Sequence, residues 1–112
     1  MEHEPKALAI APEVVRHLFG TAMAFAVPLR AGEGFDESAF NALCDALQTC
    51  ADEWAATDVI PKTAANLLVD LSTGIEASSF QYQGDDNKKI LHAADRIAFL
   101  VRECVAVPEL NI

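Results

Sequence analysis

Hydrophobic positions along the chain recur with helical spacing, and no stretch sustains the alternation of a strand. The clearest case spans Asp36 to Ala55. There Phe40, Leu43, Cys44, Leu47, Ala51 and Trp54 fall on the i, i+3, i+4, i+7 stripe of an amphipathic helix. Asp36 is positioned to cap the first turn, and Glu37 sets a negative charge at the positive end of the helix dipole. The opposite side carries Asn41, Asp45, Gln48 and Asp52, a polar and acidic back.

A second periodic segment is predicted to begin near Pro61, a residue suited to a first helical turn, with Asp58 in front as its cap. Its inward stripe is Ala64, Leu67, Leu68, Leu71, Ile75, Ser78 and Tyr82, and Thr73-Gly74 marks where a kink or break would fall. Gly84-Asp85-Asp86 reads as a stop followed by a cap for a last helix from Asp86 to Val105. Its inward residues are Ile90, Leu91, Ala94, Ile97, Ala98, Val101, Cys104 and Val105, and Pro108 prevents much extension.

The first helix is predicted over Glu13 to Val27, framed by Pro12 and Pro28. Between Leu18 and Leu29 only Thr21 is polar, so this helix reads as nearly encircled by core. Twelve residues are too few to cross a bilayer, which takes about 20. The expected fold is all-α: a single, mostly antiparallel four-helix bundle over residues 1–112. Residues 1–11 are expected to be poorly ordered, and 28–35 to form the longest and least ordered loop.

Charge narrows the classes of partner. The 112 residues include 17 acids and 8 bases, a formal charge of −9. Residues 31–87 hold eleven acids against one base, Lys62. Nucleic acids and anionic membranes require concentrated Lys and Arg, so neither is an expected direct partner. An acidic face built on Asp45, Asp52 and Glu53 instead suits a basic protein partner. Solubility is the plainer use of the same charge. Cys44, Cys50 and Cys104 are odd in number and lack CxxC spacing, which reads as reduced thiols in a cytoplasmic protein. The start of the chain is acidic where a secretory signal would be basic.

Recognised catalytic motifs are absent: the chain has no GxGxxG, Walker loop, HExxH or GxSxG. One constellation has metal-ligand spacing. Glu13 and His17 stand i, i+4 on the first helix, and His92 and Asp95 stand i, i+3 on the last. Two such acid–His pairs on adjacent helices hold a divalent metal when they converge, and two surface pairs when they do not. Histidine phosphotransfer is a second candidate, since four-helix phosphotransfer domains are similar to this chain in length and acidity. Their histidine is followed by a Lys and by a Gly four residues on. Here His17-Leu18-Phe19-Gly20 sets the glycine three residues on without a lysine, and His92-Ala93-Ala94-Asp95 departs further.

On the last helix, Phe99 lies on a polar side with His92, Asp95, Arg96, Arg102 and Glu103. An aromatic rimmed by Arg96 and Arg102 is typical of a protein contact, of which a two-fold homodimer is the commonest form. The reading is therefore a small acidic, non-enzymatic interaction or regulatory module of inhibitor, immunity or adaptor type. It is expected to be a homodimer, and no cofactor is implied. The alternative is a metal- or small-molecule-binding bundle, open to enzymatic use, with a pocket between Phe19, Met23, Trp54 and Tyr82 and with His17, His92 or a cysteine as its polar element.

Overall fold

The computed structural model describes residues 12–108; residues 1–11, expected to be poorly ordered, lie outside them. Four helices form, α1 (Pro12–Arg30), α2 (Glu37–Trp54), α3 (Lys62–Ser78) and α4 (Gly84–Val105), and no strand occurs among the described residues. A 3-10 turn, Ser79–Gln81, follows α3. The chain reverses at each connection, so consecutive helices run antiparallel, as expected.

Around the bundle the helices lie in the order α1, α2, α4, α3, with the last again touching α1. The seams α2/α4 and α1/α3 therefore join helices that point the same way. Glu37 meets Lys89 near the start of α2 and α4, and Leu47 meets Cys104 further along both. The core between them holds Leu18, Phe25, Leu29, Leu43, Leu47, Trp54, Ile75, Ile90, Ile97 and Leu100, each at most 1 % exposed.

Local chemistry accounts for the boundaries, including those that differ from the sequence reading. Pro28 does not end α1. It sits in the last turn, where its ring removes the bond to the carbonyl of Ala24, a solvent-exposed residue. The helix stops at Gly32 instead. With φ +81°, Gly32 donates its N–H to the Leu29 carbonyl (3.1 Å), and Glu33 donates to that of Pro28 (2.9 Å). Those two bonds are a Schellman ending, which satisfies the last carbonyls of the helix. The loop is thus shorter than 28–35, and it is held. The Tyr82 hydroxyl donates to the Leu29 carbonyl (2.8 Å) and accepts from the Gly34 N–H (3.1 Å), while Gln81 Nε2 donates to the Arg30 carbonyl (2.8 Å). Phe25, Phe35 and Phe40 close the same corner, with ring centroids 5.3–5.5 Å apart.

Asp36 caps α2 as its sequence position predicts, its carboxylate accepting from the Ala39 N–H at 3.0 Å. Asp58 does not cap α3. Pro61 occupies the cap position with no side-chain bond, because Asp58 is three residues too early to reach the first free N–H groups. Helix α3 runs unbroken through Thr73-Gly74. Helix α4 begins at Gly84, at φ +61°, so Asp85 and Asp86 lie in its first turn, where their charge suits the dipole.

On α4, Ala93 and Leu100 join the core, whereas Val105 is half exposed. The largest departure is α1. It is not encircled: Leu18, Ala22, Phe25, Ala26 and Leu29 are buried, but Gly20, Met23, Ala24 and Val27 face solvent.

Candidate functional site

The acidic residues singled out from the sequence lie on the outer side of α2, and all three are exposed. Asp45 and Asp52 are seven residues apart and share one face. Glu53 lies about 100° further round the helix. No Lys or Arg occurs anywhere in α2. Gln48 Nε2 donates to Asp52 Oδ1 (3.2 Å), and the Thr49 hydroxyl donates to the main-chain carbonyl of Asp45, leaving the Asp45 carboxylate to solvent. Asp52 and Glu53 fall in the last turn, at the negative end of the helix dipole, where an acid is disfavoured.

Next to this face stands the outer side of α4. Phe99 is 47 % exposed, and the Arg96 guanidinium carbon lies 5.8 Å from its ring centroid. That is cation–π range. Arg102 and Glu103 are exposed on the following turn. Leu100, the residue after Phe99, turns inward and is fully buried. Helices α2 and α4 are neighbours, and Arg96 stands beside Cys44 on the α4 side of α2. Where the two helices meet, Lys89 pairs with Glu37 (3.9 Å) and lies over the Phe35 ring.

The metal constellation does not assemble. Its two pairs sit on α1 and α4, which are diagonal across the bundle, and all four residues are exposed. Among the described residues no three His, Cys, Asp or Glu side chains come close enough to share an ion. The suggested pocket does not assemble either. Tyr82 is bonded at the α1 loop, and Trp54 is 1 % exposed at the opposite end of the bundle, beside Ile60 and Cys104. Phe19 and Met23 border shallow clefts between α1 and α3.

None of the three cysteines is prepared for nucleophilic work. Burial pushes the Cys104 thiol up to about 12, with Cys50 and then Glu103 adding to it. Burial, reinforced by Glu53, takes Cys50 to about 11. Cys44 is raised by burial as well, against the opposing charge of Arg96. Nucleophilic attack requires a thiolate, and all three are held as thiols at neutral pH. The Cys104 thiol donates to the Leu47 carbonyl at 3.3 Å, a packing role.

Sequence reasoning missed the exposed side of α1. Its signal is the uncharged run between Arg16 and Arg30, which periodicity reads as nearly encircled by core. No family model, no curated protein and no solved structure matches the chain. No helix among the described residues is long and apolar enough to cross a membrane.

Proposed function

We propose that this protein is a small, acidic, non-enzymatic interaction module of inhibitor, immunity or adaptor type. It acts as a homodimer and presents the acidic outer face of α2, with Asp45, Asp52 and Glu53, to a basic protein. The observation that carries this reading is the placement of Asp52 and Glu53. Two acids at the negative end of α2, with no base on the helix, oppose the dipole, and among the described residues neither is paired with a cation; Asp52 accepts only the i, i+4 bond from Gln48. Their value then lies outside the folded monomer, in attracting and orienting a cationic surface. Phe99, with Arg96 and Arg102 around it, is the apolar anchor of a protein contact, for which the homodimer is the expected use. Three free cysteines, two of them buried, support a reducing compartment, and the reading is of a cytoplasmic protein.

The test is retention from a lysate by the immobilised chain and by its Asp45→Lys/Asp52→Lys variant, with helicity checked by circular dichroism. The reading expects a basic protein held by the native chain and lost from the folded variant. Equal retention by both sinks it.

A further inference from the structure

A helix that is apolar around its whole circumference belongs inside a protein. Between Leu18 and Leu29 helix α1 is nearly such a helix, with Thr21 its one polar residue, yet one molecule covers only half of it. On its open side Met23 is 42 % and Val27 48 % exposed, and no charged side chain interrupts them. Gly20 lies on the same side. Its φ is not left-handed, and a Cβ added there would meet nothing within 4 Å, so neither backbone geometry nor packing within the monomer requires a glycine. In a helix interior it costs about 1 kcal/mol relative to alanine. What the missing side chain leaves is a shallow hollow over α1 and α2, floored by Thr21, Ala24, Ala39 and Ala42.

We propose that a second copy of this chain covers this face, α1 pairing antiparallel with α1 of the partner about a two-fold axis. The open side follows a 3,4 spacing: Glu13, Arg16, Gly20, Met23, Val27 and Arg30. That is the a/d seam along which two helices pack. Turned on itself about a point between Gly20 and Met23, the seam complements itself at every step. Met23 enters the hollow at the partner subunit's Gly20, and the aliphatic stem of Arg16 lies over the partner subunit's Val27. At each end Glu13 faces the partner subunit's Arg30, giving two equivalent ion pairs of opposite sign. A parallel pairing would set Glu13 against Glu13 and Arg30 against Arg30. Charge therefore selects the antiparallel arrangement, and an isologous contact of this kind closes at two copies.

This pairing touches α2 only near Ala39 and Ala42 and leaves the Asp45/Asp52 face of α2, and α4, free for another protein. It rests on the homodimer of the reading above and assigns that dimer to α1 rather than to Phe99.

Sedimentation velocity of the full chain, over a range of concentrations and under reducing conditions, is the test. The expected result is a dimer that Met23→Lys weakens by at least about tenfold in dissociation constant, while Phe99→Ser leaves it in place. Glu13→Arg alone and Arg30→Glu alone are each expected to weaken the dimer, and the double exchange to restore it. Helicity by circular dichroism confirms that each variant is folded. A native chain that stays monomeric overturns the pairing and the homodimer together. A dimer indifferent to Met23→Lys, or one lost in Phe99→Ser, overturns the α1 pairing alone.

Discussion

Replacing Tyr82 by Phe removes one oxygen and leaves the ring where it packs. That oxygen makes two bonds that reach across the fold, donating to the Leu29 carbonyl and accepting from the Gly34 N–H. The two losses differ in size. Leu29 keeps a second partner, the Gly32 N–H at 3.1 Å, so its carbonyl stays satisfied. Gly34 is half buried and loses the acceptor of its N–H, which water reaches only in part. Each net hydrogen bond contributes about 0.5–1.5 kcal/mol, so the expected loss of stability is roughly 1–2 kcal/mol. For a domain of this size that lowers the thermal midpoint by roughly 5–10 °C. Urea unfolding followed by far-ultraviolet circular dichroism measures it, with the dependence on denaturant unchanged because the same surface is exposed. A loss below about 0.3 kcal/mol would show that the clamp on the loop is not a stabilising contact.

Three further outcomes are expected. Gly74→Ala should raise stability by about 1 kcal/mol, since the new Cβ meets nothing and α3 is regular there, whereas Gly32→Ala should lower it by roughly 1–2 kcal/mol because the backbone stands at φ +81°; thermal melts of the two variants check both signs. The fold holds the thiol protons of Cys104 and Cys50 more tightly than the unfolded chain, with values near 12 and 11 against an ordinary 9.0. The unfolded chain therefore releases protons that the native state retains, so their contribution is intact below about pH 9 and falls as the pH rises beyond it. Urea midpoints on either side of that pH should decline less in Cys104→Ala than in the native chain.

The four helices were legible because their periodicity is strong and because Asp36 caps by a contact three residues away. The ends that differed depend on contacts that no local window contains. Pro28 looked like a terminus, but the residue that ends the helix is Gly32, and the group that holds the following turn comes from Tyr82, 53 residues after Leu29. Asp45, Asp52 and Glu53 are all exposed, as their charge leads one to expect, but only Asp45 and Asp52 share a face. Convergence between helices is a different matter. Glu13 with His17 and His92 with Asp95 each share a helix face, yet the order of the helices around the bundle sets the two pairs on a diagonal. The outward side of α1 was hidden for the opposite reason, because composition reports that a surface is apolar and not which molecule buries it.

The order of the helices around the bundle also bears on how the chain folds. Helices α1 and α2 form one pair joined by a short loop, and α3 and α4 form another, so each can form from contacts close in sequence. The same-direction seams α2/α4 and α1/α3 join residues far apart in the chain, and closing them carries the larger entropy cost. Two helical hairpins are thus the expected early units, and their docking the expected late event. The Tyr82 hydroxyl reaches from the second hairpin to the turn of the first. It becomes bonded only once the two have met in the correct alignment, which makes it a latch on the completed fold.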